Sequence, residues 1–138
     1  FALRADAAAV LAAQDAVWET GLTLNPNANL LLLKRKLLHP DAPLDDADWR
    51  ACLDVYLQRA NVQDLDVDRL ICLAASIGRD NLENFSRTDY NKPLGNPVPY
   101  PEIGQLMKAG IVAQVPKTSR YGFEPAAIQI LGHLLPQN

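Results

Sequence analysis

Three aspartates, Asp64, Asp66 and Asp68, stand at alternate positions in the stretch DLDVD, and calcium-binding loops begin with this spacing. Such a loop also needs glycine at its sixth position for a sharp turn and glutamate at its twelfth as a bidentate ligand. Arg69 and Ala75 occupy those positions. The pattern therefore does not predict a calcium site, and helix capping explains the aspartates better.

The other residues that could bind a metal or act as a nucleophile are Cys52, Cys72, His39 and His133. They are too few and too far apart in the sequence to predict a zinc site. A disulfide between the cysteines stays open if neighbouring antiparallel helices carry them, although a reducing cytosol disfavours it. The sequence has no glycine-rich phosphate loop, no HExxH and no G-x-S-x-G motif. We therefore predict no enzyme activity, no catalytic residue, no metal and no cofactor.

A basic cluster precedes a histidine–proline–aspartate tripeptide in the stretch LKRKLLHPDAP, and the residues concerned are Lys34, Arg35, Lys36, His39, Pro40 and Asp41. Local structure explains all of them, because bases favour a helix C-terminus and proline ends a helix. The stretch also resembles the signature of J-domain co-chaperones. That resemblance implies that the six residues contact a partner ATPase chaperone. The segment before the tripeptide is shorter than in that family and lacks its aromatic-rich start.

Apolar residues at helical spacing predict a mostly α fold. The expected helices before residue 88 are Ala5–Thr20, Ala28–Leu38, one capped by Asp45 that ends near Ala60, one capped by Asp66 that ends at Gly78, and a short one that begins with the capping pair Asp80 and Glu83. Val17 and Trp18 share an apolar stripe on the first helix, and Leu30 and Leu33 share one on the second. We expect these stripes to face the core.

Residues 88–100 contain three prolines and a glycine, which predicts an extended insert. The elements expected after it are a helix over Pro101–Ala109, a strand over Ile111–Val115, a turn over Pro116–Arg120, a strand over Tyr121–Phe123 and a last helix beginning at Glu124-Pro125. Gly110 is expected in the left-handed conformation that ends the preceding helix. The chain thus divides into a helical region over 1–64 and a second region over 65–138.

The phrase IGQLMKAGIV, followed after a short gap by YGFEPAAIQIL, resembles the winged helix-turn-helix family. The resemblance covers about half of the chain, and the proline-rich insert departs from the family pattern. In that family the third helix enters the DNA major groove and the wing touches phosphate. The resemblance therefore implies a nucleic-acid or partner contact set of Gln105, Lys108, Lys117, Thr118, Ser119 and Arg120.

The charge distribution disfavours nucleic acid as the partner. Residues 1–78 hold seven Lys and Arg against eleven Asp and Glu, a net charge of −4, and residues 79–138 hold six against five, a net charge of +1. Phosphate neutralisation by basic residues supplies most of the affinity of nonspecific DNA binding. A chain without a basic surplus lacks that contribution.

The sequence as a whole predicts a helical N-terminal part and a winged-helix-like C-terminal half with one short β-hairpin. We interpret it as a regulatory or adaptor module that binds a protein partner through the winged-helix-like domain, and homodimerisation stays open. Two alternatives are a DNA-binding regulator and a J-domain-like co-chaperone module. The interpretation as an adaptor predicts an exposed apolar patch on the helical half. We also expect a bacterial, cytoplasmic protein: the Ala- and Leu-rich composition suggests the bacterial source, and no apolar run is long enough for a membrane span.

Overall fold

The computed structural model describes residues 7–90 and 101–136. Its elements are α1 (Ala7–Trp18), α2 (Pro26–Leu38), α3 (Asp46–Ala60), α4 (Val67–Ile77), a 3₁₀ turn (Arg79–Asn81), α5 (Arg87–Tyr90), α6 (Ile103–Lys108), β1 (Val112–Gln114), β2 (Tyr121–Phe123) and α7 (Pro125–Gly132). The predicted mostly α fold with one short hairpin is confirmed. None of the helices in the described ranges is long and apolar enough to cross a lipid bilayer.

Local capping signals set several of the helix ends. The Asp45 carboxylate accepts a hydrogen bond from the backbone N–H of Asp48, and the Asp48 carboxylate accepts one from the N–H of Asp45. The Asp66 carboxylate caps α4 in the same way through the N–H of Arg69. Gly110 has φ +82° after α6, and Ile111 N–H donates to the carbonyl of Leu106, as in a Schellman motif. These three predicted ends are confirmed.

The first three helices form two consecutive antiparallel hairpins. The end of α1 lies beside the start of α2, because Trp18 and Pro26 line one groove. At the other end of that hairpin, Ala9 and Leu37 line a common cleft. The pair α2 and α3 is antiparallel too. The Cys52 thiol in the middle of α3 lies 3.8 Å from the carbonyl oxygen of Ala28, near the start of α2, and an ion pair joins the end of α2 to the start of α3.

A third extended segment lies beside the hairpin formed by β1 and β2. In the hairpin, Val112 pairs with Phe123 and Gln114 pairs with Tyr121. On the other side of β2, the backbones of Phe85 and Tyr121 exchange two hydrogen bonds of 2.8 Å. The predicted fifth helix from Asp80 is therefore wrong, because residues 79–81 form a 3₁₀ turn and Phe85 pairs with β2. The hydrogen bonds to β2 override the local capping pattern.

After residue 66 the described elements follow in the order α4, extended segment, α5, α6, β1, β2 and α7. The predicted extended insert over 88–100 begins with a helical turn, and the rest of it stays a prediction. Residues 88–90 are helical and belong to α5, and residues 91–100 lie outside the described residues.

The buried side chains form one connected cluster that includes Leu32 and Leu53 from the N-terminal helices and Phe85, Leu106 and Leu131 from the C-terminal half. This cluster extends across the predicted boundary at 64 and 65, and the division itself stays a prediction.

A ring stack and two polar contacts add to the attachment of α7 to the N-terminal helices. The rings of Trp49 and His133 stack with centroids 3.7 Å apart. A His133 ring nitrogen lies 3.1 Å from the carbonyl oxygen of Thr20. The N–H of Thr23 donates to the side-chain carbonyl of Gln129 over 3.2 Å. Because these contacts come from α3 and from the α1–α2 connector, they hold α7 against both.

Candidate protein-interaction face

Large apolar side chains are exposed on the first two helices and on the turn between them. Among the described residues, five large apolar side chains are well exposed: Leu11 at 59%, Trp18 at 72%, Leu24 at 52%, Leu30 at 63% and Leu38 at 46%. All five lie before residue 39, in the predicted helical region. The expectation that the stripes of α1 and α2 face the core is wrong for Trp18 and Leu30. Those helices bury Ala13, Val17, Ala28 and Leu32 instead.

An open groove of about 590 Å³ runs between α1 and α2, and we call it the Trp18 groove. Its lining residues are Gln14, Asp15, Val17, Trp18, Leu22, Pro26, Asn29, Leu30 and Leu33. The carbonyl oxygen of the Asn29 side chain is buried there without a hydrogen-bond partner in the described structure. A groove between two helices with apolar walls and a few polar groups has the shape that accepts an amphipathic helix.

The two helices that form the groove carry opposite charges. Asp15 is the only charged residue of α1. The charged residues of α2 are Lys34, Arg35 and Lys36, all of them basic. Lys34 is exposed, and it forms no ion pair among the described residues. The exposed side of the hairpin therefore presents an acid on one helix and a base on the other.

The rest of the basic cluster holds the connector between α2 and α3. Arg35 forms an ion pair of 3.2 Å with Asp48 at the start of α3. The ammonium group of Lys36 donates to the carbonyl of Ala42 over 2.7 Å. Two of the three bases that the J-domain resemblance assigns to a partner are thus engaged within the chain.

The tripeptide of that resemblance lies in the same connector. The N–H of His39 donates to the carbonyl of Arg35 and closes α2, and the carbonyl of His39 accepts a hydrogen bond from Ala42. His39, Pro40 and Asp41 are exposed on this turn. The tripeptide is therefore accessible in the place that the resemblance requires, between two antiparallel helices, and the partner contact stays a prediction.

The turn over Pro116–Arg120, which the winged-helix resemblance makes the wing, is held largely by its own hydrogen bonds. The hydroxyl and the N–H of Thr118 both donate to the carbonyl of Val115, and the side-chain amide of Gln114 donates to the carbonyl of Thr118. Lys117 adopts φ +63° at the turn. The structure thus places Lys117, Thr118 and Ser119 together and exposed at the tip.

Arg120 points back toward the body of the fold. Its guanidinium donates to the side-chain and backbone carbonyl oxygens of Asn84. Another base, Arg87, donates to the Tyr121 hydroxyl over 3.1 Å and lies 5.6 Å above the centre of that ring. The sequence carried no signal for these contacts, because they depend on the pairing of residues 82–85 with β2.

The predicted contact residues of α6 lie on its solvent side. Gln105 and Lys108 are exposed, whereas Ile103 and Leu106 are buried. α6 leads through Gly110 directly into β1, so its exposed side and the wing belong to one continuous segment of the chain. Lys108 and Lys117 form no ion pair among the described residues. Both are exposed, so an external anion could reach them.

A cleft of about 380 Å³ lies between α2, α3, the end of α6 and the start of α7. On its wall the Tyr56 hydroxyl donates to the Glu124 carboxylate over 2.7 Å. Burial, together with this hydrogen bond and the negative charge of Glu124, raises the pKa of Tyr56. The pair connects α3 to the start of α7, and it therefore helps to hold the N-terminal helices to the C-terminal half.

Both cysteines are free thiols, so the disulfide left open by the sequence is not formed. Cys52 is buried and Cys72 is exposed. Within residues 7–90 and 101–136, no three side chains of His, Cys, Asp or Glu are arranged to hold a metal ion.

Comparison with known proteins gives no assignment: no protein-family model, curated protein or solved structure matches this chain.

Proposed function

We propose that this chain is a non-enzymatic regulatory or adaptor module that acts through protein–protein contacts, with the Trp18 groove as its binding face. The observation that carries the proposal is the 72% exposure of Trp18 beside Leu30, which is 63% exposed. Contiguous exposed apolar surface on a folded domain commonly marks an interaction site. Tryptophan is also among the residues that dominate binding energy at interfaces.

The rest of the fold supports this role by holding the groove in shape. α2 packs on α3, and Leu32 and Leu53 of these helices belong to the same buried cluster. α3 is in turn joined to α7 by the Tyr56–Glu124 hydrogen bond and the Trp49–His133 stack. The winged-helix-like half therefore acts as a support for the hairpin, and a groove on rigid helices orders fewer groups when a partner binds.

The test is capture of partners from an extract of the source cells by the immobilised chain, with a groove variant and a matched control. Trp18→Ser combined with Leu30→Ser should weaken capture of the specific partner at least about 30-fold, because a buried tryptophan anchor contributes about 2 kcal/mol or more. Leu24→Ser is the control, since Leu24 is 52% exposed but lies outside the groove lining. Equal capture by all three proteins, or capture of nothing by the unmodified chain, would contradict the proposal.

A second candidate function is DNA binding, and the exposed Lys108 and Lys117, which form no ion pair among the described residues, favour it. On this proposal Lys108 and Lys117 bind phosphate. Replacing both with Ala should weaken binding to unrelated duplexes equally and lower the slope of log affinity against log salt by about 2. Fluorescence anisotropy from about 50 to about 200 mM salt measures that slope. Absent or salt-independent binding would exclude the DNA proposal.

We also propose a cytoplasmic location. Cys52 and Cys72 are free thiols, the state that a reducing compartment maintains.

A further inference from the structure

The exposed side of the α1–α2 hairpin is complementary to itself. It combines an apolar centre, Trp18 and Leu30, with an acid on α1, Asp15, and a base on α2, Lys34. A surface with this composition carries both halves of a charge-matched contact. A two-fold symmetric dimer requires the same patch to serve on both partners.

We propose that a second copy of this chain occupies the Trp18 groove, so that two α1–α2 hairpins form a four-helix bundle. This inference rests on the proposed function and names the partner at the same face. The Trp18 side chain of each copy lies against the groove of the other and removes both tryptophans from water. Four-helix bundles pack antiparallel hairpins through apolar stripes of this kind.

The charges select one of two symmetric arrangements. A two-fold axis along the length of the hairpin places α1 of each copy on α2 of the other, in antiparallel contact. Asp15 then lies on the side of the partner's basic helix, which carries Lys34. A two-fold axis across the hairpin instead places α1 on α1, with Asp15 facing its own copy. Like charges in contact are unfavourable, so the axis lies along the hairpin.

The size of the face sets the expected affinity. Helices of 12 and 13 residues are each about 20 Å long, and two of them side by side span about 20 Å. An interface of that extent belongs at the small end of specific protein contacts. We therefore expect a dimer with a micromolar dissociation constant.

The experiment is sedimentation velocity on the full chain from about 1 to about 200 µM, a range that brackets micromolar affinity. The unmodified chain should shift from monomer to dimer across this range. Trp18→Ser should weaken the dimer at least about 30-fold. The matched control Leu24→Ser should leave the affinity unchanged, because Leu24 does not line the groove.

A charge swap identifies the second copy and its orientation. Asp15→Lys and Lys34→Asp should each weaken the homodimer about fivefold at low salt, because each brings like charges together. Mixing the two variants should restore a heterodimer, since both contacts are then attractive. Asp15 and Lys34 are both exposed, so neither substitution should disturb the fold. Recovery of the dimer on mixing therefore reports on the contact between the two copies.

Three results would overturn this inference. The first is a chain that stays monomeric up to about 200 µM, the top of a range chosen for micromolar affinity. The second is a dimer whose affinity Trp18→Ser does not change, and the third is a mixture of the two charge variants that forms no more dimer than either variant alone. If the chain stays monomeric but still captures another protein through the groove, the occupant is not a second copy of this chain, and the proposed function stands. A dimer through another face, with no capture dependent on Trp18, would overturn both.

Discussion

Replacing Gly122 with Ala is expected to destabilise the fold by about 3 kcal/mol, because the added methyl group has no space to occupy. Gly122 is buried in β2, between Tyr121 and Phe123. A Cβ atom built at this position lies 3.0 Å from the carbonyl carbon of Glu83 and closer still to its oxygen. Backbone atoms cannot rotate away as a flexible side chain does. The segment containing Glu83 must therefore move off β2.

That movement disturbs the hydrogen bonds on either side of the contact. Phe123 N–H donates to the carbonyl of Leu82, and Phe85 and Tyr121 exchange two bonds, all of 2.8 Å. Thermal unfolding followed by circular dichroism should show a fall in Tm of about 10 °C for a domain of this size.

Gly104→Ala is the matched control, because the substitution is the same and the surroundings differ. Gly104 is exposed in α6 and an added Cβ meets nothing within 4 Å. Alanine favours a helix more than glycine does, so this variant should gain about 0.5 kcal/mol. The expected fall in Tm is ~10 °C. If the Tm of Gly122→Ala lies within about 2 °C of that of the unmodified chain, the backbone of Glu83 does not pack closely on β2.

Helix ends were the part of the fold most accessible from sequence. The side chains of Asp45 and Asp66 act on backbone groups three residues away, and Gly110 acts through its own φ. Such signals lie within one turn and need no knowledge of the rest of the chain. The wing was also predictable, because β1 and β2 are joined by a short turn.

The pairing of Phe85 with Tyr121 was not predictable from local pattern. These residues are 36 positions apart, as their numbers show, and the nearby pair Asp80 and Glu83 indicated a helix. Which of two such structures forms depends on long-range hydrogen bonds and burial, and Phe85 is fully buried. Tertiary structure here overrides a weak local preference.

An exposed apolar patch on the helical half was expected, but its residues were not identified, for a related reason. α2 is apolar on most sides, so its sequence does not say which leucine is covered. The packing of α3 buries Leu32 and leaves Leu30 in solvent. The side-chain placement of the predicted contact residues was likewise only partly accessible from sequence: Lys117 is exposed at the tip, but Arg120 donates to Asn84, a residue with no motif around it.

Alkaline unfolding is the second large effect that we expect, and the buried thiol of Cys52 is its main cause. Burial, with a smaller contribution from the negative charge of Asp48, raises the pKa of Cys52 from 9.0 to about 12. The unfolded chain therefore loses this proton at a lower pH than the folded chain. Above pH 9 the unfolded state binds fewer protons, so the free energy of unfolding falls as pH rises.

The decline from Cys52 should continue up to about pH 12, where the folded thiol ionises as well. Its slope starts at about half of 1.4 kcal/mol per pH unit and approaches that value, which gives a loss of about 2 kcal/mol between pH 9 and 11. Tyr56 adds a second decline above about pH 10, the ordinary value for tyrosine, because its pKa is also raised in the folded state.

Urea unfolding under reducing conditions at pH 8, 9, 10 and 11 measures this decline, and the two cysteines supply a matched pair of variants. Cys52→Ala should unfold more easily at pH 8 but lose less stability between pH 9 and 10, because the titrating thiol has been removed. Cys72→Ala removes an exposed thiol and should retain the full decline. Tyr56→Phe should flatten the curve only above about pH 10. If Cys52→Ala and the unmodified chain lose stability in parallel from pH 9 to 11, ionisation of the buried thiol does not drive alkaline unfolding.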